Sequence, residues 1–88
     1  MTNFYDNVEE GVRMYVKAFR DAGLNTFCSC HHEGYIQIES YDPTREADII
    51  YNILVGFEVK DYTAELECKY TPAGYFRRWH IESPWFKI

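Results

Sequence analysis

The stretch Ala22-Gly23-Leu24-Asn25-Thr26-Phe27-Cys28-Ser29-Cys30-His31-His32-Glu33-Gly34-Tyr35-Ile36-Gln37-Ile38 decides how this chain is read. Its first residues end a helix. Gly23 can take the left-handed backbone conformation at C′, and Leu24 can fold back onto the last turn as the apolar partner of a Schellman motif. A strand through Cys28 and Cys30 follows, then a turn containing Gly34, then a returning strand carrying Ile36 and Ile38. A helix leading directly into a β-hairpin is the unit from which the rest of the chain can be built.

Upstream, residues 4 to 22 predict that helix, because Val8, Val12, Tyr15, Phe19 and Ala22 recur at three-and-four spacing and form one stripe. Asn3 is the expected N-cap, with Glu9 and Glu10 early and Arg20 late, as the helix dipole prefers. Gly11, on the inner stripe, would let the helix approach a sheet closely.

Downstream the same grammar repeats. Asp42 followed by Pro43 starts a second helix, with Ala47, Ile50, Tyr51 and Leu54 as its stripe and Ile49 and Ile53 widening it. Gly56 and Phe57 are expected to end it as Gly23 and Leu24 end the first. Two further strands then alternate around a turn. From 62 to 70, Tyr62, Ala64, Leu66, Cys68 and Tyr70 alternate with polar residues, so the first set should face the core. Thr71-Pro72-Ala73-Gly74 fits a type I turn, and pairs Tyr70 with Tyr75 and Leu66 with Trp79.

The result is a single α+β domain over residues 1–88, in the order α-β-β-α-β-β. That order is what a ferredoxin-like βαββαβ fold becomes when its first strand is moved to the end. The expected product is a two-layer sandwich, a four-stranded, mainly antiparallel sheet under two helices; other two-layer arrangements of these elements stay open.

The hairpin register decides where the cysteines point. A three-residue loop His32-Glu33-Gly34 would set Cys30 against Ile36 and Cys28 against Ile38, all inward. A two-residue Glu33-Gly34 loop would turn both thiols to the face opposite the isoleucines; the first register is preferred because it fills the inner surface.

Composition narrows the function. The 88 residues carry fourteen acidic and nine basic side chains, a net charge of -5 that repels phosphate, so no nucleic acid is expected as a partner. No window approaches the apolar length of a membrane span, and the first residues carry no secretory pattern, so a cytoplasmic protein without a membrane partner is expected. Three cysteines, an odd number, fit a reducing compartment.

Chemistry-bearing residues are few. Cys28, Cys30, His32 and Cys68 are ligand types that zinc accepts, and they form the alternative reading, a zinc-binding or thiol-redox protein. Against it stands the spacing: cysteines two apart on a flat strand lie roughly 6 to 7 Å apart, whereas structural zinc sites usually draw on C-x2-C turns. No zinc or other cofactor is therefore expected, and the three cysteines are expected to fill the core. His31 and His32 should fall on opposite strand faces. The glycines form no phosphate cradle, and Asp42, Glu46 and Asp48 are read as a solvated helix start. No catalytic residue can be assigned, and the chain is read as not an enzyme.

What remains is a recognition surface. Sixteen aromatic residues exceed what a small two-layer domain buries easily, so some should face a protein partner or a subunit contact, with a homodimer as one expected arrangement. The open sheet face should present Phe27, Ser29, His31, Tyr35, Gln37 and Glu39 with Phe76, Arg78 and His80. The tail Ser83-Pro84-Trp85-Phe86-Lys87-Ile88 is too apolar to lie free; Trp85 and Phe86 are expected to dock on the domain or on a neighbouring chain.

The residues Gly23-Leu24-Asn25-Thr26, Ser29-Cys30-His31-His32 and Tyr35-Ile36-Gln37 together resemble a pattern of short bacterial and phage proteins, over about a fifth of the chain. Position 31 departs from it, since Gly would be expected there. The resemblance implies no catalytic role; it implies a small soluble domain of a mobile element that acts by binding a host protein.

Overall fold

The computed structural model describes residues 8–87. The predicted N-cap Asn3 and the predicted first helical residues 4 to 7 lie outside them. The elements are α1 (Glu10–Asp21), β1 (Asn25–Cys30), β2 (Tyr35–Ser40), α2 (Pro43–Gly56), β3 (Thr63–Thr71) and β4 (Gly74–Glu82), closed by a short 3-10 turn (Pro84–Phe86). The strands form one sheet in the order β1-β2-β4-β3, with every neighbouring pair antiparallel. The α-β-β-α-β-β order and the α+β sandwich are those predicted.

α1 starts later than its apolar spacing suggested. Val8 is buried but not helical, and Glu9 stands at the cap in an extended conformation. The Glu9 carboxylate accepts the backbone N–H of His31 at 2.8 Å, and Arg13 donates to the Val8 carbonyl. These ties hold the chain extended up to Glu10. At the other end the Schellman motif forms as read: Leu24 N–H donates to Phe19 O and Gly23 N–H to Arg20 O, both at 2.9 Å, with Gly23 at φ 89°.

The second stop differs from the expectation. Gly56 is helical, and the left-handed position is taken two residues later by Glu58, at φ 60°. Val59 N–H donates to Leu54 O and Glu58 N–H to Val55 O, the same Schellman pair as in α1. Burial selects this end. Val59 is the apolar residue that reaches the core, whereas Phe57 stays exposed.

The core lies between the helices and the middle of the sheet: Val12, Tyr15, Val16 and Phe19 from α1, Ile50 and Leu54 from α2, Ile36 and Ile38 from β2, and Ile81 from β4. Ala47 and Tyr51, expected on the inner stripe of α2, are exposed; the buried line is Glu46, Ile50 and Leu54. Glu46, expected at a solvated helix start, is 3% exposed. Phe86 is fully buried against Tyr15, with ring centroids 4.8 Å apart, so the tail docks on its own domain while Trp85 remains exposed. Ser83 pins it, donating from Oγ to Asp61 O at 2.6 Å and from N to Gly34 O at 3.0 Å.

β3 and β4 pair in the predicted register, Tyr70 with Tyr75 and Leu66 with Trp79. Yet the helix-side face of β3 is not core. Ala64, Leu66, Cys68 and Tyr70 are all exposed, because β3 is the edge strand beyond the reach of both helices.

Candidate recognition surface on the open sheet face

The first hairpin turns the cysteines around. Cys30 pairs with Tyr35, leaving His31 to Gly34 as the loop, closed by Gly34 N–H donating to Cys30 O at 2.8 Å. A β-bulge between Thr26 and Cys28 shifts the register, so that Thr26 pairs with Ile38 on the inner face while Cys28 pairs with Gln37 on the outer. Thr26 is buried beneath Arg20, whose Nε donates to its Oγ1 at 2.9 Å. Cys28 and Cys30 therefore stand on the open face, not in the core, and Ser29 pairs with Ile36 and turns inward.

His31 also leaves the open face. Gly11 N–H donates to His31 Nδ1 at 3.0 Å, and His31 Nε2 lies 3.1 Å from Glu9 Oε2. His32 is exposed and stacks edge-on against His31, with centroids 4.3 Å apart, so the two rings sit side by side in the turn, not on opposite strand faces. Glu9, His31 and His32 place ligand-type atoms within 4.8 Å of one another. Chemistry argues against a metal there. With Nδ1 accepting a backbone proton, neutral His31 carries its own proton on Nε2, the nitrogen that would have to coordinate. The trio instead ties the start of α1 to the hairpin turn.

The alternative zinc quartet is not assembled. Cys28 and Cys30 lie on the open face of β1, whereas Cys68 lies on the helix-side face of β3, three strand spacings or about 14 Å away. His32 is in the turn beyond Cys30. These four residues converge on no common point.

The open face itself brings together Phe27, Tyr35, Gln37, Glu39, Phe76, Arg78 and His80 as expected, with Glu67 and Glu82 from the alternation of β3 and β4, and adds Cys28. Its centre is a bonded row. Tyr35 stacks on His80 at 5.2 Å, Gln37 Nε2 donates to His80 Nδ1 at 2.9 Å, and His80 Nε2–H donates to Glu82 Oε1 at 2.7 Å. The Tyr35 hydroxyl meets Cys28 Sγ at 3.5 Å, a contact that, with burial, pushes its pKa up to about 12. Beside this row Arg78 Nε donates to Glu67 Oε1 at 3.2 Å. Glu39 accepts from Asn25 Nδ2 at 2.7 Å and from the Tyr41 hydroxyl at 2.6 Å. Phe27 and Phe76 flank Glu39 around a shallow recess of about 300 Å³.

Tyr35, Gln37, Glu39, Arg78 and His80 on this face are thus each held by a neighbour, which lowers the entropy lost when a partner docks. Cys28 is the member of the face that the sequence does not place there. Glu82 follows from the strand alternation, whereas Cys28 depends on the bulge, which no residue type in β1 announces.

No family model, no curated protein and no solved structure matches the chain. Among the described residues no helix is long and apolar enough to cross a membrane.

Proposed function

We propose that this chain is a small non-catalytic protein-binding domain, ferredoxin-like in architecture with the first strand placed last, that presents its open sheet face to a partner protein. The observation that carries the reading is the Phe27–Glu39–Phe76 recess set beside a row of pre-bonded polar side chains. Exposed rings next to held polar groups are what recognition surfaces use. Glu39, Glu65, Glu67 and Glu82 share this face with Arg78, so it favours a partner segment that sets an apolar side chain among basic ones, and disfavours nucleic acid. Unpaired cysteines suit the reducing cytoplasm. The likeness of residues 22 to 37 to short phage and bacterial proteins extends the reading to a host protein as the partner.

The test is affinity capture from cells of the source organism with the wild-type chain and with a Tyr35→Ala/Phe76→Ala/Arg78→Ala variant. A protein retained by the first and lost by the second, with the variant still folded by circular dichroism, supports the proposal. Equal retention by both overturns it.

A further inference from the structure

The two edges of the sheet are built differently. β1 is six residues long and is broken by the bulge between Thr26 and Cys28, a device that spoils pairing with another strand. β3 runs nine residues in unbroken register with β4, contains no proline, and among the described residues has no strand on its outer side. Its helix-side face is uncovered as well: Leu66 is 40% exposed, Tyr70 is 80% exposed, and Tyr75 packs on Tyr70 at 5.0 Å. Rows of unpaired backbone groups beside bare apolar side chains need an occupant.

We infer that β3 pairs with β3 of a second copy of this chain, antiparallel about a two-fold axis at Cys68, joining two sheets into one. The inference stands independently of the partner proposed for the open face.

The hairpin fixes which backbone groups are free. The two-residue loop Pro72-Ala73 makes Thr71 and Gly74 a hydrogen-bonded pair, so Thr71, Lys69 and Glu67 bond to β4. Tyr70, Cys68 and Leu66 then point their N–H and C=O groups outward. A two-fold axis normal to the sheet keeps each face on its own side, so a symmetric register must centre on one residue.

Centring on Tyr70 would set Pro72, which has no N–H, against Cys68, and charge selects among the remaining centres. Centring on Leu66 sets Glu65 against Glu67 twice, centring on Glu67 sets that residue against itself, and centring on Lys69 does the same for the lysine. Centring on Cys68 sets Glu67 against Lys69 twice and creates no like-charge pair. In that register Leu66 lies opposite Tyr70 of the second copy on the uncovered helix-side face. Pro72, lacking an N–H, ends the ladder just beyond Tyr70.

Light scattering on size-exclusion fractions tests this with the wild-type chain, Lys69→Glu, Glu67→Lys, and an equimolar mixture of the two variants. The wild type is expected to be a dimer. Each variant alone turns two attractive pairs into repulsive ones and should dimerise about tenfold more weakly. The mixture restores opposite charges at both pairs and should recover the dimer as a heterodimer, which a folding defect in either variant would not allow. In a Cys28→Ser/Cys30→Ser background, diamide should take one hydrogen from each Cys68 thiol and link two chains, since opposed Cα atoms about 5.5 Å apart lie within disulfide reach. A wild-type chain that stays monomeric at millimolar concentration assigns the edge to a strand of another protein and overturns the inference. So does a dimer indifferent to both charge changes.

Discussion

The indole Nε1–H of Trp79, in β4, donates to Glu46 Oε1, in α2, at 3.0 Å, and so bolts the helix to the sheet through a buried carboxylate. The same oxygen accepts the Ser40 hydroxyl at 2.6 Å, while Oε2 accepts the backbone N–H groups of Tyr41 at 2.8 Å and Asp42 at 2.9 Å. A buried charge costs free energy unless its hydrogen bonds are met, and here four donors converge on it. Burial alone would raise the Glu46 pKa; the donors from Asp42, Ser40, Tyr41 and Trp79 outweigh it and hold the carboxyl below its ordinary value.

Glu46→Gln should therefore destabilise the domain by about 2 kcal/mol, because the amide would set its own donors against the Tyr41 and Asp42 N–H groups. Trp79→Phe, which removes one donor, should cost about 1 kcal/mol of hydrogen bonding. The sign with pH follows from the lowered pKa. The contribution is complete above the ordinary value of 4.5 and is lost as pH falls through the folded-state value. Urea denaturation of wild type and Glu46→Gln from neutral pH down into the acid range checks both, since the variant's acid limb should be flatter.

Helix α2 gives a prediction that runs against its sequence. Glu58 sits in the left-handed region at φ 60° whereas Gly56 is helical with open space around it. Glu58→Gly should stabilise the fold by about 1 kcal/mol, and Gly56→Ala by about 0.5 to 1 kcal/mol. Gly23→Ala, at φ 89°, should destabilise by about 1 kcal/mol. Thermal unfolding of the three variants distinguishes this from a helix that stops at Gly56, for which Gly56→Ala would destabilise.

The tail divides sharply at neighbouring residues. Phe86 has no exposed surface and touches Tyr15, whereas Trp85 is 51% exposed. Phe86→Ala should cost about 3 to 4 kcal/mol by opening a cavity, and Trp85→Ala less than about 1 kcal/mol. Chemical denaturation midpoints measured side by side test the contrast.

The thiols of the first hairpin report on the bulge. With Cys28 exposed and Cys30 half-buried on the open face, both should react with a thiol reagent in the folded protein, Cys28 faster. Thiols packed inside the core would react only on unfolding. Removing the Cys28 contact by Cys28→Ala should lower the Tyr35 pKa from about 12 toward 10, followed by NMR of labelled tyrosine.

By itself the sequence determined the existence, type and order of the helices and strands, the Gly23 stop and the β3–β4 register. Each rests on local rules: apolar periodicity, a left-handed glycine, and Pro72 and Gly74 in a four-residue turn. Only the tertiary structure decided which faces are covered. Alternation tells which side of a strand Leu66 and Tyr70 take, but whether a helix lies over that side depends on where two helices fit above four strands. Likewise Cys28 faces outward because Thr26 is drawn inward beneath Arg20 and the bulge takes up the extra residue. Glu46 is buried because Trp79, Ser40 and two backbone amides come to it from elements that only folding brings together, and His31 leaves the open face because Glu9 and Gly11 claim its ring and backbone. Long-range polar pairings of this kind leave no periodic trace in the chain, and they set which residues of the open face a partner can meet.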